Sequence, residues 1–257
     1  MILSKRVALG GVQLDGLSDW IAIKSVDPGV PRENISAVDR MGGVGQRVTM
    51  QHWQTLEVSV TYGIDIPKRS LALRRQIFDA VNAWALTKGW LTVNWLPGRR
   101  MWVDKVVLPG SGDMWNWTAD FTIVFRAYGV PFWQDSTGTS MVTENISSGN
   151  LTVDVGGMVE TPLDVSFENT SGSSCANVSF AINGNTLAFT GINLAAGSTL
   201  AITHGTDGLL KAMVGSTSVY GLMTGGDDLW AKPGNNTLTV SASAAGELTI
   251  TSYGRYI

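Results

Sequence analysis

Cysteine, histidine and long apolar runs are all scarce in this chain of 257 residues. Because Cys175 is the only cysteine, no disulfide can form within the chain, and the two histidines add too few ligands for a structural zinc site. No stretch reaches the roughly twenty apolar residues of a membrane helix, and the N-terminal residues lack the apolar core of a signal peptide. We therefore expect a protein without metal, cofactor or membrane insertion that is made and stays soluble in a cytoplasm.

Charged residues are also sparse, at 15%, whereas 44% of the residues are hydrophobic. This balance supplies material for packed cores and argues against wholesale disorder. The length favours two domains, although one large β domain also reaches this size.

Tryptophan and charge are distributed unevenly along the chain. Nine of the ten tryptophans lie between Trp20 and Trp133, and only Trp230 follows them. Up to Asp135 there are 15 Lys and Arg against 12 Asp and Glu, and beyond it 3 against 9, so the net charge changes from about +3 to about −6. One continuous core does not easily accommodate this shift. We predict domains at 1–137 and 138–257, joined by a short polar linker within residues 134–145.

Strict alternation of apolar and polar residues predicts strands in the first domain. The alternation covers 56–64 and 117–128, and the segments 90–96 and 101–108 flank a Pro-Gly turn, which predicts a hairpin. Pro131 cannot continue a central strand, and we expect the aromatic pair that follows it to pack across the end of the sheet.

A single segment of the first domain, 70–89, shows helical spacing instead. Ser70 suits the N-cap and Gly89 the C-terminal stop. The side chains predicted to face the core are Leu73, Ile77, Ala80, Val81 and Trp84. The first domain is thus predicted to be a β-barrel or sheet with one packed α-helix.

Short alternating runs recur after residue 150 and predict a β-sandwich or jelly roll. The runs are Leu151–Val155, Leu163–Phe167, Val178–Ile182, Leu187–Phe189, Leu200–Ile202, Leu238–Val240 and Leu248–Ile250. Asn183 and Gly184 predict a two-residue hairpin turn, because both tolerate positive φ.

No motif points to catalysis. The stretch MGGVGQR at 41–47 lacks the Gly-Lys-Ser/Thr ending of a phosphate-binding loop, which favours an ordinary loop. The pair Asp227-Asp228 lacks the spaced oxygen ligands of a calcium loop, which favours a turn. His52 and His204 fall in different predicted domains without a serine elbow or an obvious carboxylate partner near in sequence, and the lone cysteine has no flanking basic residues, so structural roles are favoured for all three. We expect no enzymatic activity.

Two surface features remain open at this stage. The basic groups Lys68, Arg69, Arg74 and Arg75, with Arg99-Arg100 at the hairpin turn, are too few for nucleic-acid recognition and favour a solvated face or a contact with an acidic subunit. Trp230 suits a platform for sugar stacking, but filling the core of the sandwich is favoured.

The order of several segments resembles the distal tail proteins of long-tailed, non-contractile bacteriophages. In the first domain the likeness rests on RRQIFDAVNAW, KGWLTVNWLPGRRMWVDKV and WNWTADFTIVFRAYGVPFW. In the second it rests on GGMVETPLDVSFENTSG, INLAAGSTLAITH, DDLWAKPGNNTLTV and ITSYGRY. These segments together span most of the chain.

The resemblance implies a homo-hexameric ring formed by the first domain at the tail tip of the virion, with a galectin-like β-sandwich outside it. The ring would join the tail tube protein to the tail hub protein and the baseplate, with a receptor-binding protein as a further candidate partner. DNA would pass through the ring without being read. The alternative is a carbohydrate-binding module or adhesin that uses Trp230 to bind polysaccharide on the host cell surface, since fold alone does not decide sugar binding.

Overall fold

The computed structural model describes residues 6–39, 46–225 and 228–257. These residues form a mainly β structure with one α-helix, which confirms the predicted fold class. The chain divides into two compact units, Met1–Trp133 and Gln134–Ile257, and the predicted boundary at 137/138 lies a few residues further along. Within the described ranges, no helix is long and apolar enough to cross a membrane. Residues 41–45 of the glycine-rich stretch and Asp227 of the acidic pair lie outside the described residues.

The first unit contains two larger sheets, a separate hairpin and the helix. Its strands are β1 (Val7–Leu9), β2 (Val12–Gln13), β3 (Ile21–Asp27), β4 (Glu33–Asp39), β5 (Gln46–Trp53), β6 (Leu56–Ile64), β7 (Trp90–Val93), β8 (Arg99–Trp102), β9 (Lys105–Val107) and β10 (Phe121–Ala127), and β11 (Trp133–Asp135) spans the boundary of the units. One sheet has the order β3-β6-β10-β9, and β2, β1, β7 and β8 are neighbours in a second. As far as the chain is described, β4 and β5 pair only with each other.

Alternation builds the core of the first unit as predicted. Every second residue of β6, from Leu56 to Ile64, is buried. In β10 every second residue from Phe121 to Ala127 is buried in the same way. The two strands pair antiparallel with Ile123 opposite Val60, so their apolar faces coincide. The strand predicted over 117–128 begins only at Phe121, because the preceding residues form a loop.

The helix α1 (Leu71–Ala85) is shorter than predicted at its C-terminal end. The Ser70 side chain accepts a hydrogen bond from the Leu73 amide at 3.3 Å, as expected for an N-cap. Ala80 is exposed, whereas Phe78 and Arg74 are buried. Gly89 does not end the helix; a Cβ there would lie 3.1 Å from the Cα of Gly10, so a close approach of two backbone segments explains this glycine.

The aromatic pair after Pro131 closes the first unit, as predicted. Phe132 makes an edge contact with Trp53, with ring centroids 5.2 Å apart. The indole Nε1 of Trp133 donates to the carbonyl of Pro28 at 3.2 Å. Both side chains are buried, and their contacts lie at the end of β5 and just after the end of β3.

The second unit is a curled sheet arranged around one long strand. Its strands are β12 (Thr139–Val155), β13 (Thr161–Asn169), β14 (Cys175–Ile182), β15 (Asn185–Leu194), β16 (Thr199–His204), β17 (Leu210–Val214), β18 (Thr217–Ser218), β19 (Met223–Gly225), β20 (Trp230–Ala231), β21 (Gly234–Ser252) and β22 (Arg255–Tyr256). The first half of β21 pairs with β14, which leads to β15 and β19, and its second half pairs with β13, which leads to β16, β17 and β18. Both groups of strands contribute side chains to one hydrophobic core.

Two sequence predictions for this unit are wrong in the same way. The runs 238–240 and 248–250 are parts of the single strand β21, and most of the predicted linker belongs to β12, which pairs along β21. Register shifts between Thr143 and Ser148 bend this pair. At the bend a Cβ on Gly246 would lie 2.4 Å from the carbonyl oxygen of Glu168, so the turn between the two halves requires glycine. A strand that bends without ending looks in sequence like two strands joined by a turn, so the sequence did not predict the bend.

The predicted hairpin between β14 and β15 is confirmed. Asn183 and Gly184 have φ values of 51° and 86°, and Ile182 pairs with Asn185.

Candidate functional site

Arg74 is the strongest departure from the sequence prediction in the first unit. The prediction of a solvated basic cluster is wrong for this residue, because its side chain is completely buried. Its Nη1 donates to the carbonyls of Met114 at 3.1 Å and Asn116 at 2.7 Å, and its Nη2 donates to Ala119 at 3.3 Å. The guanidinium carbon lies 5.2 Å from the centre of the Trp117 ring. Both Nη atoms of this planar cation are thereby paired with carbonyl oxygens, whereas its buried Nε has no hydrogen-bond partner among the described residues.

These hydrogen bonds hold the loop that carries Trp115. The loop contains a 3-10 turn over Gly112–Trp115, and Trp115 is 75% exposed at its end. A cavity of about 190 Å³ lies beside it, lined by Leu71, Phe78, Met114 and others. A large aromatic side chain on a fixed backbone, next to a concave surface, is typical of protein contact sites.

The tryptophans of the first unit lie mostly at the surface. Trp84 and Trp133 are buried, and the other seven, all within the described residues, are partly or fully accessible. Trp90 and Trp102 are opposite each other in the β7–β8 hairpin, with ring centroids 5.3 Å apart, and the Arg100 guanidinium lies 4.0 Å from the Trp90 ring. Arg100 therefore stacks on an aromatic ring, whereas Lys68, Arg69 and Arg75 are exposed as predicted.

A second concave surface lies at the base of the β4–β5 hairpin. Its volume is about 860 Å³, and its lining includes Val30, His52, Trp53 and Glu57. Val30 is 63% exposed. His52 is exposed, and its Nε2 lies 3.5 Å from the side-chain nitrogen of Asn34, so no carboxylate accompanies this histidine in the described contacts.

The other histidine lies between two carboxylates in the second unit. His204 ends β16, and its Nδ1 lies 2.9 Å from Oδ1 of Asp164 on β13, which also accepts the His204 backbone amide at 2.9 Å. Its Nε2 lies 3.6 Å from Oδ1 of Asp228. The His204 side chain is only 7% exposed. No obvious carboxylate partner was expected from residues near His204 in sequence, and the structure supplies two through the fold, one of them on a paired strand 40 residues away.

Asp164 and Asp228 favour the protonated, positively charged form of His204. Burial, the largest single influence, lowers the pKa of His204, but the hydrogen bonds and attraction of Asp164 and Asp228 together outweigh it and raise the pKa above 6.5. Arg255, on β22, is attracted by Asp228, but burial lowers its pKa to about 10. Asp164 and Arg255 are both far from His204 in sequence, so no local pattern predicted their contribution to the cluster.

Trp230 lies beside this cluster and is half-buried. The Arg255 guanidinium lies 5.2 Å from the centre of its ring, and its carbonyl accepts a hydrogen bond from the Asn183 side chain at 3.0 Å. Its neighbours Leu229 and Ala231 are the residues that enter the core of the sandwich. Sugar stacking by Trp230 stays a prediction.

The described residues contain no group of three or more His, Cys, Asp or Glu side chains placed to hold a metal ion. Cys175 is buried, with its Sγ 3.4 Å from the Ser243 hydroxyl. Among the acid and base groups that converge here, His204 is nearly buried and Asp164 and Asp228 are partly exposed, and the hydrogen bonds of the cluster include no serine or cysteine nucleophile among the described residues.

No protein-family model matches the sequence, and no curated protein matches it. Nine chains of solved structures do match the fold. The Dit protein (gp 19.1) of phage SPP1, a hub of the adsorption apparatus in phages that infect Gram-positive bacteria, aligns with a TM-score of 0.67 at 13% identity, covering 97% of this chain and 98% of that one. A chain of the phage P2 baseplate, in its activated conformation with Ca, aligns with a TM-score of 0.51 at 11% identity, with the same coverage. The resemblance to distal tail proteins is thereby confirmed at the level of the fold: over 97% of its length, this chain shares the fold of the SPP1 Dit protein.

Proposed function

We propose that this chain is a structural protein of the tail tip of a long-tailed phage, where it forms a homo-hexameric ring between the tail tube and the tail hub or baseplate. The observation that carries the proposal is the match to the SPP1 hub protein over almost the full length of both chains. A match across two units in the same order is more informative than a match to a common single domain.

The first unit has the surface that a ring subunit needs. In a closed ring each copy presents two different patches, one to each neighbour. Trp115 on the loop held by Arg74 and Val30 beside the β4–β5 hairpin are large exposed apolar groups on different elements. The hairpin itself pairs with no other strand in the described part of the chain, and isolated two-stranded hairpins are marginally stable in water. A neighbouring subunit would supply the missing contacts.

In this proposal the protein is made in the host cytoplasm and resides at the tail tip of the virion. Its partners are five further copies of itself, the tail tube protein, the hub protein and, through the galectin-like second unit, a receptor-binding protein. The ring surrounds the path of the DNA and makes no sequence-specific contact with it. No step of this role requires catalysis.

Native mass spectrometry of the full chain, with electron microscopy of the same sample, tests the ring. We expect a species of six copies and six-fold rings. Trp115→Ala should weaken assembly, since truncating a central interface tryptophan costs about 2 kcal/mol or more, or roughly thirtyfold in the dissociation constant per contact. Trp230→Ala, the same change in the other unit, serves as the control and should leave assembly unchanged. A wild-type chain that stays monomeric at high concentration, without rings, contradicts the proposal.

One observation favours the alternative, a carbohydrate-binding module. Trp230 is the only tryptophan of the second unit and is half-buried, with the Arg255 guanidinium packed against its ring. Aromatic rings of this kind stack on sugars. A glycan array with the full chain distinguishes the two functions: an adhesin gives reproducible hits that Trp230→Ala abolishes without unfolding the protein, and a purely architectural protein gives none.

A further inference from the structure

The second unit contains a largely buried group of titratable side chains around His204. We define the His204 cluster as Asp164, His204 and Asp228. Asp164 belongs to β13, His204 to β16, and Asp228 to the segment that leads into β20, so the cluster connects three elements that are not neighbours in sequence. Such a connection is sensitive to protonation, because imidazole changes its charge near neutral pH.

The two nitrogens of His204 have different surroundings. Nδ1 is within hydrogen-bonding distance of Asp164, at 2.9 Å, which fixes the proton on this nitrogen. Nε2 is buried and has no hydrogen-bond partner within normal distance, and the nearest acceptor is the Asp228 carboxylate at 3.6 Å. When Nε2 carries a proton, it attracts this carboxylate; when it is neutral, its lone pair faces a negative charge in a poorly hydrated site.

The segment next to Asp228 is held by the burial of Leu229 and Ala231 in the core and by a hydrogen bond from the Asn183 side chain to the Trp230 carbonyl, but its backbone pairing with the sheet is short. Leu229 accepts a hydrogen bond from the Leu163 amide at 3.0 Å, and β20 pairs with β13 over only two residues, Thr161 with Ala231 and Pro162 with Trp230. Pro162 has no amide proton to donate, which weakens this short pairing further. The contact between His204 and Asp228 therefore adds to core packing and a two-residue pairing in holding residues 228–231 to the sheet.

We propose that the His204 cluster is a pH-dependent switch, in which protonated His204 holds residues 228–231 against β13 and neutral His204 releases them, changing the exposure of Trp230. The inference does not rest on the proposed ring, since every residue involved belongs to the second unit.

The charged groups around the cluster support this direction. Asp164 and Asp228 face His204 from β13 and from the segment before β20, and Arg255 on β22 interacts with Asp228. Asp207 and Lys211, from the turn and strand after β16, lie next to Gly205. With His204 protonated, two carboxylates are balanced by two cations; with it neutral, one negative charge remains in excess at a largely buried site.

The sign of the pH dependence follows from the raised pKa of His204. A group whose pKa is higher in the folded than in the unfolded protein stabilises the fold at any pH below its unfolded pKa, which is about 6.5 for histidine. This stabilisation disappears as the pH rises through the pKa of the folded protein. The segment is therefore held most firmly in mildly acidic solution, and we expect it to open more often above the folded pKa. Each unit by which the folded pKa exceeds 6.5 corresponds to about a tenfold change in the closing equilibrium.

Hydrogen exchange of the full chain, followed by mass spectrometry between about pH 5.5 and pH 8.5 with exchange times scaled for the intrinsic pH effect, tests the switch. The peptide containing Leu229 to Ala231 and the amide of Leu163 should lose protection, several-fold or more, as the pH rises. His204→Gln and Asp228→Asn should remove this pH dependence. His52→Gln, at the exposed histidine of the first unit, should retain it.

Two results would overturn the inference. One is protection of residues 228–231 that does not change with pH in the wild-type chain. The other is an unchanged pH dependence of this protection in Asp228→Asn. This variant is nearly isosteric with the wild-type chain, so the test still applies if His204→Gln fails to fold. The NMR titration of His204, assigned against His52→Gln, must also show proton loss above pH 6.5, and loss below that value equally contradicts the switch.

Discussion

Replacing Arg74 by alanine should destabilise the first unit far more than an arginine at the start of a helix ordinarily does. The substitution removes three charge-assisted hydrogen bonds, to the carbonyls of Met114, Asn116 and Ala119, and a cation–π contact with Trp117. The carbonyl of Met114 is buried, so its loss of a donor costs about 1–3 kcal/mol, whereas water can reach the other two in part. With the lost packing of a fully buried side chain, we expect a total of about 3–5 kcal/mol.

The neighbouring arginine provides a matched control. The Arg75 side chain is 76% exposed and forms only a 3.8 Å pair with Asp79, one turn along the helix. Such a pair contributes about 0.5 kcal/mol or less, so Arg75→Ala should be nearly neutral. Arg74→Lys should be intermediate, because an ammonium keeps the charge but cannot reach three separated carbonyls in one plane.

Urea unfolding of the full chain at one protein concentration, followed by circular dichroism and by fluorescence, measures these differences. The tryptophans of the first unit dominate the fluorescence, so the transition of this unit is observed directly. If Arg74→Ala falls within about 1 kcal/mol of Arg75→Ala, the described hydrogen bonds do not hold the Trp115 loop and our explanation of the buried arginine is wrong.

Two further substitutions test the local explanations of the fold by the same unfolding assay. Ser70→Ala removes the N-cap of α1 and should cost about 1 kcal/mol, and Ser70→Asp should retain most of the stability; equal stability of the alanine variant would refute the cap. Gly246→Ala places a Cβ 2.4 Å from the carbonyl of Glu168 and should cost about 3 kcal/mol or more, whereas Gly172→Ala, which has open space around it, should change stability little. A tolerated Gly246→Ala would show that the bend of β21 does not depend on this close approach.

The sequence was sufficient to predict those elements whose structure depends on local periodicity. Strand β6, strand β10 and helix α1 have one buried face each. Alternating apolar residues therefore predict the two strands, and helical spacing with the Ser70 cap predicts the helix. The turn at Asn183 was predictable for the same reason, because two adjacent residues with positive φ have a narrow choice of side chains.

The features that the sequence did not predict depend on pairing over long distances. Arg74 is buried because three carbonyls 40 to 45 residues away converge on it, and carbonyls leave no trace in a sequence. The contact between His204 and Asp164 can be predicted only from the register of β13 and β16, which the sequence does not reveal. The long strand β21 contains a bend at Gly246 that resembles a turn between two strands, since alternation restarts after it.

The most direct test of the proposed function is a cryo-electron microscopy reconstruction of the tail tip of a virion whose genome encodes this chain. Our proposal predicts a ring of six copies below the tail tube, with the first unit around the central channel and the second unit outside it. A tail tip that lacks this chain, or a reconstruction in which the chain occurs as an isolated copy on the surface, would contradict the proposal.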